Sequence, residues 1–145
     1  MTAETALSYG DMVTLAEIRV ESWPPLTLPW KVLVPDNARH EVLRVKGGGR
    51  RIGLTTKYRL ALSAASLLAG HQWGQRPLLR DLVKLRVVLH EPDKRRRDIS
   101  NYLKLIQDCL VRVAFVDDSQ ISHVEVIRGK LDRINPRADI ELSPL

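Results

Sequence analysis

The ten residues DLVKLRVVLH, at positions 81 to 90, constrain the fold more than any other stretch of this sequence. Four aliphatic side chains occupy every second position: Val83, Leu85, Val87 and Leu89. Lys84 and Arg86 lie between them. A period of two is typical of a strand with one buried face and one solvent-facing side. The stretch therefore predicts a half-buried β-strand.

Two helices are predicted on either side of this strand. Residues 55 to 69 are rich in Ala and Leu, start at Thr55, a suitable N-cap, and are followed by Gly70, a residue common just beyond a helix end. A second helix is predicted from about Asn101 to Arg112, with Ser100 as its N-cap. Its apolar face should consist of Tyr102, Leu103, Ile106, Cys109, Leu110 and Val113.

Alternating patterns predict further strands near both ends of the chain. One lies around residues 16–20, a second covers residues 26–34, and two more lie within residues 121–130 and 137–143. Because helices and strands mix without a regular βαβ rhythm, we predict an α+β fold, with a small mixed or antiparallel β-sheet and two main helices packed on one face. We expect a single domain over residues 1–145, in which residues 1–25 are either an N-terminal extension or part of the sheet.

The sequence RVKGGGRRIG, within residues 35–53, predicts a mobile basic loop, because three consecutive glycines make an internal strand unfavourable. The whole chain has 23 basic and 17 acidic residues, a net charge of +6, which favours a polyanionic partner such as nucleic acid. The lone Cys109 cannot form an internal disulfide, and neither a secretory signal nor an apolar run long enough to span a bilayer is visible. We therefore expect an intracellular protein that crosses no membrane.

Residues 90–123 hold the most informative arrangement of charges. Four basic residues, Lys94 to Arg97, directly precede Asp98, and the pair Asp117-Asp118 follows the second predicted helix. Taken alone, each feature is more often structural: basic runs are usually solvated, and paired acids often form turns. Together they have the composition of a metal-dependent phosphodiesterase, in which carboxylates hold Mg²⁺ while basic residues hold the nucleic-acid backbone.

The segments RRRDISNYLKLIQD and FVDDSQI also resemble the signature of the RusA-type endonucleases, which resolve Holliday junctions and occur largely in bacteriophages and prophages. By this resemblance Asp98, Lys104 and Asp118 are the catalytic residues. The resemblance implies a metal site formed by Asp98 and Asp118, with Asp117 as a further candidate ligand. The surrounding signature, a second shell around the site, comprises Ser100, Asn101, Asp108 and Gln120.

The same resemblance implies a RusA-like fold and a homodimer that nicks the two symmetry-related strands of a four-way DNA junction. The cofactor should be Mg²⁺, with Mn²⁺ as a substitute, and the location should be the cytoplasm of a bacterial host. Phosphate contacts are expected from seven basic residues: Lys94, Arg95, Arg96, Arg97, Lys46, Arg50 and Arg51. Such contacts hold DNA without reading its sequence.

One position departs from the family pattern, because Ser100 stands where the family has a second aspartate. A hydroxyl is a weaker ligand than a carboxylate for a hard cation. Three outcomes are compatible with this change: Asp98 and Asp118 suffice with water in the vacant position, another acid such as Glu91, Asp93 or Asp117 substitutes, or the protein binds branched DNA without cutting it. We favour retained cleavage with weaker metal binding, because Asp98, Lys104 and Asp118 are all present. A structural or regulatory module whose basic surface contacts another protein is the remaining alternative.

Overall fold

The computed structural model describes residues 24–145, which form an α+β fold around a mixed four-stranded sheet. Its strands, in spatial order, are β1 (Leu26–Pro29), β6 (Arg137–Pro144), β4 (Val83–His90) and β5 (Ile121–Arg128). Strand β4 pairs in parallel with β5, whereas the β1–β6 and β4–β6 pairs are antiparallel. The predicted fold class is confirmed. The strand predicted around residues 16–20 lies outside the described part of the chain.

The alternation along β4 has the predicted consequence. Its four aliphatic residues are at most 1% exposed, and the side chains between them are only partly buried. In β6 the alternating apolar residues Ala138, Ile140 and Leu142 are also buried. These residues share one core with the buried side chains of both helices, so the two helices cover the same face of the sheet.

Helix α1 (Thr56–Trp73) starts where the sequence predicts, because the Thr55 side chain accepts a hydrogen bond from the Tyr58 backbone N–H. It does not end near Gly70 as predicted. The helix continues to Trp73, which is buried one turn beyond Ala69, and Gly74 ends it with a positive φ of 60°. Packing of Trp73 in the core therefore overrides the low helix propensity of a single glycine.

Helix α2 (Leu103–Leu110) is shorter than predicted, and Ser100 is not its N-cap. A 3₁₀ turn (Ile99–Tyr102) precedes the helix, and Asp98 caps that turn by accepting a hydrogen bond from the Ser100 backbone N–H. The helix ends at Leu110 because the next residue, Val111, is extended. Most of the predicted apolar face is buried, together with Leu105, which the sequence pattern left out.

The prediction of a mobile loop within residues 35–53 is wrong, because most of this segment is a β-hairpin. Strand β2 (His40–Arg44) pairs antiparallel with β3 (Arg50–Leu54) in a separate two-stranded hairpin. The glycines lie in the connection rather than in a strand, and Gly47 and Gly48 have positive φ values of 107° and 95°. Backbone of that kind favours glycine. The run of glycines therefore makes the turn that joins two strands.

The predicted strand at residues 26–34 ends early. Strand β1 stops at Pro29, which has no backbone N–H to continue the ladder, and a 3₁₀ turn (Trp30–Val32) follows. Val32, Leu33 and Val34 are then buried consecutively instead of alternately. No helix in residues 24–145 combines the length and the apolar character needed to cross a membrane.

Candidate active site

Lys104, in the first turn of α2, lies between two carboxylates. Its Nζ is 2.9 Å from Asp108 Oδ1, one turn further along the helix, and 3.4 Å from Asp118 Oδ2. Asp118 belongs to the 3₁₀ turn (Asp118–Gln120) that leads into β5. The hydrogen bond with Asp108, aided by Asp118, raises the pKa of the Lys104 ammonium above its ordinary value. Lys104 therefore stays positively charged at neutral pH and is suited to stabilise an anion.

Tyr58 of α1 fixes this arrangement from the protein interior. Its ring is buried, and its hydroxyl donates a 2.6 Å hydrogen bond to Asp108 Oδ2. Burial, followed by the Asp108 carboxylate, raises the pKa of the Tyr58 phenol, so the hydroxyl keeps its proton. The sequence motif did not include Tyr58, which precedes Asp108 by 50 residues. A buried tyrosine usually needs a polar partner for its hydroxyl, and that rule is the only feature of the sequence that could have indicated this contact.

The turn that carries Asp118 is held by side chains of the predicted signature. Gln120 Oε1 accepts from the backbone N–H groups of Val116 and Asp117, and Gln120 Nε2 donates to the carbonyls of Leu79 and Asp81. The Asp117 carboxylate accepts from the Ser119 hydroxyl and N–H, and these bonds lower its pKa. Gln120 thus fixes the turn, and Asp117 caps it.

Asp98 is exposed at the start of its 3₁₀ turn, and its carboxylate is engaged by Ser100. Asp98 Oδ1 accepts a 2.6 Å hydrogen bond from Ser100 Oγ and a 3.0 Å bond from the Ser100 N–H. The hydroxyl bond is the main reason that the pKa of Asp98 is lowered, so the carboxylate is ionised at neutral pH. The structure brings Lys104 into contact with Asp118 but forms no bond between either residue and Asp98.

The carboxylates have the chemistry that a hard divalent cation prefers, yet no three potential ligands (His, Cys, Asp or Glu) converge within residues 24–145. Glu91 is a poor substitute ligand because its oxygens already bond to Arg97 and Arg128. Mg²⁺ is commonly held by one or two carboxylates, with water and substrate phosphates completing its coordination. The residues present fit Mg²⁺ in that mode only, with Asp98 and Asp118 as the available donors.

An ion-pair cluster around the buried Glu91 organises the basic segment. Glu91, only 5% exposed, accepts from Arg97 Nη1 at 3.2 Å and from Arg128 Nε at 2.5 Å. Arg97 also bonds to Asp93 and lies over the Trp30 ring, 5.4 Å from its centroid. A cleft of about 490 Å³ is lined by the four charged residues of this cluster and by Lys94, Arg95, Arg96, Gly129 and Leu131. The cluster holds the backbone immediately before Asp98.

The remaining predicted phosphate contacts occupy two places. Lys94, Arg95 and Arg96 are exposed along the cleft, whereas Arg97 is largely enclosed by its acidic partners. Lys46, Arg50 and Arg51 are exposed on the β2–β3 hairpin. Their contact with phosphate stays a prediction, as does the role of Asn101, whose backbone N–H bonds to the Asp98 carbonyl.

Comparison with known proteins shows which family this chain resembles. Residues 33–143 match the family model described as Endodeoxyribonuclease RusA. The crossover junction endodeoxyribonuclease RusA of Enterobacteria phage HK97 is 42% identical over 48 residues, 32% of this chain and 40% of that protein. Its namesakes in Escherichia coli K12 and Enterobacteria phage 82 are each 40% identical over 47 residues, 32% of this chain and 39% of each relative.

These pairwise matches span about two fifths of the length of the curated relatives. The family match is much longer, because it includes the hairpin, both helices and strands β4 and β5. On that match, the chain belongs to the RusA family of endodeoxyribonucleases.

Proposed function

We propose that this chain is a divalent-metal-dependent endonuclease that resolves four-way DNA junctions by paired, symmetric nicks. The observation that carries the proposal is the Lys104 ammonium held against Asp118, on a chain in which an exposed basic segment directly precedes Asp98. Family membership and the names of the relatives, which are crossover junction endodeoxyribonucleases, support the same activity.

Each part of the site has a defined task in phosphodiester hydrolysis. Asp98 and Asp118 would hold Mg²⁺, which when bound polarises the scissile phosphate and lowers the pKa of an attacking water. Lys104 stabilises the negative charge that develops on the phosphate, because its ammonium is already oriented by Asp108. Lys94, Arg95 and Arg96 hold the strand by its phosphates, so binding depends on salt and not on base sequence.

The wider assignment is a homodimer acting in the cytoplasm of a bacterial host. A twofold assembly places one site on each of two symmetry-related strands, which is what paired nicks require. The curated relatives from phages HK97 and 82 support a phage or prophage origin. The twofold assembly is open to direct measurement by sedimentation of the purified chain.

Cleavage of a synthetic four-way junction tests the proposed function. Each strand is end-labelled in turn, and the protein is assayed in Mg²⁺ or Mn²⁺ alongside Asp118→Asn. We expect paired nicks at symmetric positions that are absent in the variant, because an amide is a poorer ligand for a hard cation than a carboxylate. Binding without nicks in either metal would contradict the proposal.

A second function, binding of branched DNA without cleavage, is favoured by one specific observation. Ser100 does not replace the missing carboxylate but donates its hydroxyl to Asp98, which reduces the electron density that Asp98 can offer to a cation. A protein of this kind would bind junctions with a steep salt dependence and cut nothing.

The variant Ser100→Asp separates weak metal binding from its loss. We expect it to lower the Mg²⁺ concentration that gives half-maximal nicking about tenfold, because it adds a carboxylate at the family position and removes the hydroxyl bond from Asp98. Rate is measured against Mg²⁺ concentration, with Ser63→Asp, which adds a carboxylate at an exposed serine of α1, as the matched control. An unchanged midpoint would show that position 100 does not contribute to metal binding.

The variant Tyr58→Phe tests the interior contact with the site. Removing its hydroxyl takes away the hydrogen bond to Asp108 Oδ2 and leaves Lys104 as the partner of that carboxylate, so we expect nicking to slow about tenfold while junction affinity stays within twofold. Asp108→Asn and the double variant complete a thermodynamic cycle measured on single-turnover rates. If the two effects simply add, Tyr58 does not act through Asp108.

A further inference from the structure

The β2–β3 hairpin exposes an apolar pair on one of its faces. Val42 and Ile52 lie directly opposite each other in the antiparallel register, and they are 65% and 73% exposed. Residues paired in this way project from the same side of the sheet. The next pair toward the tip on that side is Arg44 opposite Arg50. The face therefore combines an uncovered apolar contact with two adjacent guanidinium groups.

The charge of the hairpin indicates what covers this face. Residues 40–54 contain four basic residues and one acidic residue, a net charge of +3. Like charges directly opposite each other, such as Arg44 and Arg50, destabilise a strand pair unless an anion neutralises them. A second copy of the same face would add further repulsion, whereas a polyanion removes it. Charge complementarity thus favours nucleic acid over self-association.

The root of the hairpin is anchored beside the candidate active site. Thr55 Oγ donates to the Ala38 carbonyl, and the Thr55 N–H donates to the Arg39 carbonyl, so the two ends of the hairpin are tied together. Arg39 lies over the Tyr58 ring, 5.6 Å from its centroid. Tyr58 is the residue that bonds to Asp108 and thereby orients Lys104. DNA bound at Lys104 is consequently within reach of the hairpin.

We propose that the Val42–Ile52 face contacts bases that are unstacked at the branch point of DNA and so provides the preference for branched over linear substrates. This inference rests on the proposed function. Backbone charge by itself does not supply such a preference, because linear and branched DNA carry the same charge per nucleotide. Aliphatic side chains inserted between base steps are an established way for proteins to stabilise unstacked DNA. The arginine pair holds the flanking phosphates while the apolar pair covers the exposed base faces.

The experiment compares the full-length chain with the double variant Val42→Thr, Ile52→Thr. Threonine keeps the β-branched shape that suits a strand but replaces a methyl group of Val42 and the ethyl group of Ile52 with a hydroxyl, so the hairpin is preserved while its apolar face is lost. Amide chemical shifts of residues 40–54 verify that the hairpin is intact. Affinity is measured in EDTA, without cleavage, for a four-way junction and for a linear duplex of the same length.

We expect junction affinity to fall about tenfold while duplex affinity and the salt dependence stay unchanged. Arg50→Gln, in contrast, should weaken binding to both substrates and reduce the salt slope by about one. Leu67→Gln, which replaces an exposed apolar residue on α1, is the matched control and should change neither affinity. A 2-aminopurine placed at the branch point should brighten with the wild-type protein and not with the double variant.

Two outcomes would overturn the inference. If the double variant keeps the wild-type ratio of junction to duplex affinity, the face does not recognise the branch. If it changes the oligomeric state measured by sedimentation, the face is a contact between copies of the chain. A wild-type protein that binds no branched DNA would instead contradict the proposed function itself, so the two failures are distinguishable.

Discussion

Replacing Lys104 with methionine is expected to slow junction nicking by a factor of about 10³ while leaving junction affinity within about twofold. The ammonium contacts Asp108 and Asp118 and is the only cation held between these two carboxylates among the described residues. Removing a preorganised charge that stabilises the transition state costs a factor of about 10² to 10³ in rate. Methionine retains the length and apolar stem of lysine, so the helix should be unaffected.

The control is Lys57→Met, which removes an exposed lysine from the first turn of α1 and should leave the nicking rate unchanged. Single-turnover rates and affinities in EDTA separate chemistry from binding. If the Lys104→Met variant nicks at the wild-type rate, Lys104 does not take part in the reaction.

The pH dependence of the wild-type chain follows from the same contacts. Asp108 and Asp118 raise the pKa of Lys104 above its ordinary value of 10.5. The ammonium is therefore present at every pH below 10.5 and loses its proton only as the pH rises through the raised pKa. The stability gained from this pairing is therefore present at neutral pH and disappears as the pH rises through the folded-state pKa. We expect a rate profile with no loss attributable to lysine up to about pH 10. A lysine-dependent fall between pH 7 and 9 would contradict the assigned charge state.

The second large effect is expected for Glu91→Gln, which should reduce the free energy of unfolding by about 3 kcal/mol. Glu91 is buried and neutralises Arg97 and Arg128, so its replacement leaves Arg97, which is only 14% exposed, with an incomplete set of charge partners. Arg97 keeps its bond to Asp93, which limits the loss to the lower part of the range for a broken buried pair. Urea unfolding measures the change.

Glu141→Gln is the matched control, because Glu141 pairs with Arg86 at 3.5 Å on the protein surface and is 54% exposed. Surface pairs contribute about 0 to 1 kcal/mol, so this variant should unfold close to the wild-type midpoint. Equal effects of the two substitutions would show that the Glu91 cluster is no more important than a surface ion pair.

Local sequence patterns were sufficient to predict those parts of the fold that depend on neighbours in sequence or on burial of one face in the core. The alternation in β4 and β6 determined which side chains are buried, and Thr55 determined where α1 starts. The pairing of Lys104 with Asp108 also follows from helical spacing alone. The grouping of Asp98, Lys104 and Asp118 in one functional motif came from the resemblance to the RusA signature and stays a prediction, whereas membership of the family is confirmed by the comparison.

Tertiary structure decided the contacts between residues that are distant in sequence. The approach of Tyr58 to Asp108 depends on how α1 packs on α2, and the burial of Glu91 depends on Arg128 at the end of β5. The prediction of a mobile loop at the glycine-rich segment was wrong. Glycine disfavours a strand locally, but pairing between β2 and β3 stabilises the hairpin. The sequence by itself therefore determined the alternating strands and the start of the first helix, and it contains the residues of the predicted motif. Only packing and strand pairing, which join residues tens of positions apart, decided how that motif is held and what lies beside it.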